Sequence, residues 1–223
     1  IEYSYRNGVV NVASRGNEFQ GGTDTATDSI FPSCVKDEMV ISVTASGYNG
    51  LFKSYDNNNP DPLSLENYMS MYARNVDIMA PGTTANVYTT DIAINSDNYT
   101  PFNGTSASAP HVTGTVALML SHVNQPCPCE KNLSPEDVEN VLQKTASERD
   151  SLILDGNFIS TPNYNKFSGW GMLDASRALK AVEEPKYQII HMTKQNANIN
   201  TVLVAQDATI HLYNPYTTYS TSY

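Results

Sequence analysis

An α/β domain, with a mostly parallel sheet flanked by helices, is the fold class predicted for this 223-residue chain. Short β-branched runs closed by turn residues alternate with segments that carry their own helix-start signals, and strands separated by helices return to the sheet in one direction. A third observation sets the extent. The texture changes after Glu183-Glu184-Pro185, so residues 1–183 read as one domain and 184–223 as a β-rich extension or the start of a second module.

Val9 to Ala13 (VVNVA) is the first strand, and the polar, Gly-containing stretch Gln20 to Asp28 after it reads as a surface loop. Val40 to Ala45 (VISVTA) is a second buried strand, followed by an Asn-rich loop from Tyr48 to Pro62. Val76 to Met79 and Asn86 to Thr90 carry weaker strand signals. Ser106 to about His122 reads as a helix whose small early residues allow close passage beneath neighbouring backbone. Ser134-Pro135-Glu136-Asp137 supplies a capping serine, a proline at the first helical position and two early acids, ahead of Val138, Val141 and Leu142. From about Leu173 to Val182, Leu173, Ala178, Leu179 and Val182 share a helical face. Beyond Pro185, the strand-like runs Ile189-Ile190, Val202 to Val204 and Thr209 to Leu212 open a β-rich module or form a strand pair covering the main domain.

The 13 Lys+Arg against 23 Asp+Glu give a net charge of −10, and charged residues make up 16% of the chain. No basic stripe is available to release counterions from phosphates, so nucleic acid is not an expected partner, and an anionic membrane surface is equally unsuited. The longest apolar stretch, Val116 to Leu120, is far short of the roughly 20 residues that span a bilayer. Cys34, Cys127 and Cys129 cannot all pair within the chain and lack the second ligand pair of a zinc site.

The segment Asn103-Gly104-Thr105-Ser106-Ala107-Ser108-Ala109-Pro110-His111-Val112 resembles the nucleophile segment of subtilisin-like serine proteases. A helix beginning at Ser106 would hold its hydroxyl at a positive dipole end beside exposed backbone N–H groups. Upstream, Val9-Val10-Asn11-Val12-Ala13-Ser14-Arg15-Gly16-Asn17-Glu18 is similar to the family's strand that ends in Gly-Asn. The resemblance makes Ser106 the nucleophile and Asn17 a donor to the oxyanion. Val76 to Gly82, Gly169 to Asp174, and Phe31-Pro32 with Val40 to Val43 match scaffold segments of the family in collinear order, so the likeness covers about residues 1–183.

The family's chain order is Asp, then His, then Ser. The four histidines, His111, His122, His191 and His211, all follow Ser106. His111 lies five residues along the predicted helix, which turns it away from the Ser106 hydroxyl. By the same resemblance, Ile1 to Arg6 is the back half of a helix, so the domain is expected to be incomplete at its N-terminus. The catalytic Asp and His are then expected on a preceding segment of the same protease, the chain's essential partner. This part alone should fold poorly and be inactive.

Ser14, Arg15 and Gly16 would border the specificity pocket, with Ile30 or Ser33 near its base. Asp24 and Asp28 favour a basic substrate side chain, or simply solvate their loop. The chemistry requires no cofactor. The resemblance places a weak cation site, a structural calcium, at Asp77. Asn75 stands where an acid is commoner, and a hard cation wants several charged oxygens, so no metal ligand is assigned. The resemblance, the low charge density and three Asn-x-Ser/Thr sequences (Asn98, Asn103, Asn132) suggest secretion. The expected function is therefore a secreted endopeptidase acting on polypeptides through an acyl-enzyme on Ser106. The rival is a catalytically inactive relative serving as a binding or structural module.

Overall fold

The computed structural model describes residues 1–19, 30–35, 39–48, 50–53, 68–72, 75–84, 86–92, 99–123, 133–147 and 164–183, with short strands at 152–154, 157–159, 210–214 and 217–221. The predicted loop at 20–28, most of the loop after Tyr48, Cys127, Cys129 and the runs at 189–190 and 202–204 lie outside these residues. The chain divides into two compact units, Ile1–Leu179 and Lys180–Tyr223.

In the first unit a parallel sheet forms from β1 (Val12–Ser14), β3 (Ile41–Ser46) and β5 (Ile78–Pro81), in that spatial order. Val12 pairs with Ile41 and Val43 with Ile78. All six residues of β3 are buried, as expected of a central strand covered on both faces. Outside β5, the Met79 N–H donates to the Gly171 carbonyl and the Leu173 N–H to the Met79 carbonyl. No described strand pairs with the other side of β1.

The helices are α1 (Glu2–Arg6), α2 (Thr105–Val123), α3 (Pro135–Thr145) and α4 (Ala175–Glu183). α2 packs on β1, β3 and β5, burying Val112, Val116 and Met119 near Val43, Ala45, Ile78 and Met79 in the same core. α3 begins with a complete capping box: Ser134 Oγ accepts from the Asp137 N–H, and Asp137 accepts from the Ser134 N–H. It then buries Val138 and Leu142. The mostly parallel sheet with flanking helices is thus the predicted fold class.

Three predicted boundaries shift, each for a reason in the hydrogen bonding. The first strand begins at Val12 and not Val9, because the Val9 N–H is taken by the Ser4 carbonyl at the end of α1. The strand predicted from Val76 begins at Ile78, because the Ser42 N–H donates to the Asp77 carboxylate at 2.7 Å instead of to a strand carbonyl. α4 starts at Ala175 because Leu173 is extended against β5 and Asp174 caps the helix, accepting the Arg177 N–H.

Four antiparallel pairs complete the description. β2 (Asn17–Phe19) pairs with β4 (Tyr68–Ser70), β6 (Tyr88–Thr90) with β7 (Tyr99–Pro101), and β8 (Leu152–Leu154) with β9 (Asn157–Ile159). In the second unit β10 (Ile210–Asn214) pairs with β11 (Thr217–Thr221), where a strand had been predicted around 209–212.

Replacing Ser134 with Ala should cost about 1 kcal/mol, since it opens the capping box of α3. Asn140→Ala, on the exposed side of the same helix, should stay within about 0.5 kcal/mol. Urea unfolding of the full-length protein compares the two, and equal losses would contradict the capping account.

Candidate active site

Ser106 is the second residue of α2 and is exposed, while Thr105, Ala107 and Ser108 around it are buried. The helix start is held from two sides. The Ser108 hydroxyl donates to the Ala80 and Pro81 carbonyls at 3.0 and 3.1 Å, tying the first turn to the end of β5. Opposite, Asn17 reaches in from the arm formed by Arg15, Gly16 and the start of β2.

The orientation of the Asn17 amide follows from its partners. The Thr105 N–H donates to Asn17 Oδ1 at 2.9 Å, and the Thr105 hydroxyl is 3.1 Å from the same oxygen. A backbone N–H can only donate, so the atom facing it must be the carbonyl oxygen. Nδ2 is thereby turned toward Gly104. That glycine has φ +96°, and a Cβ there would stand 2.8 Å from Asn17 Nδ2, so only a glycine fits beneath the amide. The Thr105 hydroxyl also accepts the Gly16 N–H at 3.0 Å, and one side chain thus joins the arm to the helix.

The N–H groups near Ser106 are mostly used. Thr105 donates to Asn17, and Ala107 and Ser108 donate to the Gly104 carbonyl at 2.9 and 3.3 Å. Among the described residues, neither the Ser106 N–H nor Asn17 Nδ2 has an acceptor. Two donors therefore stand open at the N-terminus of a 19-residue helix, where the dipole favours negative charge. Pro110 lacks the N–H that would have bonded the Ser106 carbonyl four residues back, so that helical bond is not made.

Ser14 and Ser106 line one groove of about 720 Å³ with Val12, Ala13, Pro32 and Ala109. Gly16 and Ile30 also meet: a Cβ on Gly16 would lie 3.0 Å from Ile30 Cδ1 and 2.9 Å from Met71 Sδ. Arg15 is 0% exposed, and its N–H donates to the Val43 carbonyl. Ser33 is buried and its hydroxyl donates to the Ile30 carbonyl. His111 Nδ1 lies 2.8 Å from the Ala107 carbonyl on its own helix.

At Asp77, 5% exposed, Oδ2 accepts the Ser42 N–H and Oδ1 accepts the Gln143 amide at 3.2 Å. Asn75 Nδ2 donates to the Ser33 carbonyl. Among the described residues no three His, Cys, Asp or Glu side chains cluster as a metal site. The donors at Asp77 are engaged with the protein and do not fit a cation.

Three contributors escaped the sequence reading. Thr105 and Ser108 lay within the Asn103 to Val112 segment without an assigned role, though hydroxyls flanking a nucleophile were a usable signal. Tyr68 gave none. Its phenol donates to the Gly82 carbonyl at 2.5 Å and accepts the Gly104 N–H at 3.2 Å.

A family model described as the subtilase family matches residues 1–171. Subtilisin DY of Bacillus licheniformis is 31% identical over 147 residues, covering 66% of this chain and 43% of that protein. An extracellular basic protease of Dichelobacter nodosus is 28% identical over 178 residues (78% and 24%), and an intracellular serine protease of Paenibacillus polymyxa 28% over 151 (67% and 39%). The chain thus spans less than half the length of these relatives. Among solved structures, a lanthipeptide protease shares the fold with a TM-score of 0.58 at 22% identity, over 80% of this chain and 52% of that one.

Thr105→Val keeps the shape of the side chain and leaves the Gly16 N–H without its acceptor. It should cost about 1–3 kcal/mol in denaturant unfolding of the full-length protein, while Thr105→Ser, which retains the hydroxyl, costs less. A smaller loss for Val than for Ser would show that the methyl group, and not the hydroxyl, joins arm to helix.

Proposed function

Because the chain belongs to the subtilase family, we propose that it carries the nucleophile and the oxyanion donors of a secreted serine endopeptidase. One observation bears most of the weight. The Thr105 N–H and hydroxyl fix Asn17 Oδ1, which turns Nδ2 toward Gly104, two residues before Ser106.

In this reading the Ser106 hydroxyl attacks a peptide carbonyl as a general base removes its proton. The carbonyl oxygen takes up negative charge and receives hydrogen bonds from the Ser106 N–H and Asn17 Nδ2. The intermediate collapses with protonation of the leaving amine, and water then hydrolyses the ester on Ser106. His111 faces the Ala107 carbonyl. By the family's order of Asp, then His, then Ser, the base and its orienting acid are assigned to a preceding segment of the same protein. The side of β1 that no described strand pairs with, and the groove beside Ser106, are where that segment would pack.

The substrate is a polypeptide. Ser14, Gly16 and Ile30 are assigned to the pocket for the side chain preceding the scissile bond, and buried Arg15 to the packing behind its wall. No metal takes part in any step. Residues 184–223 are assigned to a separate β-rich module. An extracellular location fits the Dichelobacter nodosus relative and sets this chain apart from the intracellular protease of Paenibacillus polymyxa.

A fluorophosphonate should label the folded, propeptide-free full-length protein at Ser106, as located by mass spectrometry, and Ser106→Ala should abolish labelling. Residues 1–223 alone should not react. Failure to label the full-length protein would leave the inactive binding module as the better reading. Asn17→Ala should lower kcat by about 10²- to 10³-fold with KM little changed, a magnitude carried over from a subtilisin and not deduced from this geometry. A raised KM at constant kcat would remove Asn17 from the oxyanion site.

A further inference from the structure

We propose that Tyr68 is a positioning residue of the oxyanion site, acting through the Gly104 peptide; the inference rests on the peptidase reading above. Tyr68 is 2% exposed and lies on β4, the strand that sets the register of the oxyanion arm: Ser70 pairs with Asn17 and Tyr68 with Phe19. The strand that holds Asn17 in place therefore also carries the phenol that reaches the nucleophile loop.

The phenol closes a triangle. Its hydroxyl donates to the Gly82 carbonyl at 2.5 Å and accepts the Gly104 N–H at 3.2 Å, while that N–H also donates to the Gly82 carbonyl at 2.9 Å. Gly104 is thus clamped at each of its groups. Its N–H faces Gly82 and Tyr68, its Cα lies beneath Asn17 Nδ2, and its carbonyl accepts from the first turn of α2. Both oxyanion donors depend on where Gly104 sits, because one rests on it and the other begins two residues later. Donors at 2.7–3.1 Å from a developing charge tolerate little displacement.

Lys53 strengthens the assignment. Its Nζ lies 4.8 Å from the Tyr68 ring centroid, and the residue is 3% exposed. A cation over the ring face draws density from the phenol and makes its hydroxyl a stronger donor. Lys53 is itself held between strands, its N–H donating to the Ala45 carbonyl and its carbonyl accepting the Ser70 N–H. Ring, cation and strand form one support beneath the loop.

Tyr68→Phe removes the hydroxyl and little else. The Gly82 carbonyl keeps the Gly104 N–H, so both described partners of the phenol remain bonded to each other and the variant should fold. In the full-length protein, kcat per site titrated with fluorophosphonate should fall about threefold to tenfold, with KM within about twofold. Affinity for a peptidyl boronic acid, which forms a tetrahedral adduct on Ser106, should fall by the same factor. Unchanged kcat per titrated site, or loss only in the number of titratable sites, would reduce Tyr68 to a packing residue and overturn the inference. A wild-type protein that neither labels nor cleaves would overturn the peptidase reading and this inference with it; an active wild type matched by Tyr68→Phe would overturn this inference alone.

Discussion

One side-chain oxygen, Asn17 Oδ1, joins the two halves of the candidate site. It accepts both the N–H and the hydroxyl of Thr105, so it satisfies a helix-start donor and at the same time fixes which way the Asn17 amide faces. Everything beyond it follows from that choice. With the oxygen on Thr105, the nitrogen must lie over Gly104, Gly104 must lack a Cβ, and the Ser106 N–H is left at the open end of α2. Were the amide reversed, an N–H would face an N–H and the arm could not dock.

The surroundings of this oxygen are polar to an unusual degree for a buried site. Ser108 bonds two carbonyls at the end of β5, Thr44 bonds Ser70, and Ser70 accepts the Ala45 N–H. Each such bond contributes only about 1 kcal/mol net, yet leaving a partner buried and unmet costs about 1–3 kcal/mol. A network of this kind fixes position more than it adds stability, since small displacements break several bonds together. Apolar burial is left to the later turns of α2, where Val112, Val116 and Met119 face the sheet. The first turn is placed by hydrogen bonds and the rest by packing.

The legible parts of the sequence were those whose signals are local. Ser134-Pro135-Glu136-Asp137 announced α3 because capping is settled within four residues, and the hydrophobic runs around Val43 and Ile78 announced a buried sheet. Asn17 and Ser106 were read through resemblance, and the geometry between them, fixed by Thr105, was not. β2 and β4 were missed because three-residue strands are too short to show a period, and their pairing spans the 48 residues between Phe19 and Tyr68. Tyr68 could not be found for the same reason. Its role depends on Gly82 and Gly104 meeting beneath it, which no spacing along the chain encodes. The strand starts at Val12 and Ile78 moved because single bonds, to Ser4 and from Ser42, outcompeted the β-propensity of the residues before them.

An inactive binding module and an enzyme would both need the arm docked to the helix, but they differ in what they would do with the donors it leaves. A helix start gains about 1 kcal/mol when its free N–H groups are capped. The Asn17 amide could have served that purpose at Ser106; instead its oxygen caps Thr105 and its nitrogen stands open beside the unbonded Ser106 N–H. Gly104, held at φ +96°, keeps the space under the amide clear, where a side chain would have filled it. The oxygen thus caps the first turn, and two donors are left open near an exposed hydroxyl. Negative charge arriving there would find both donors, and in the proposed reaction it arrives as the carbonyl oxygen of a peptide becomes tetrahedral.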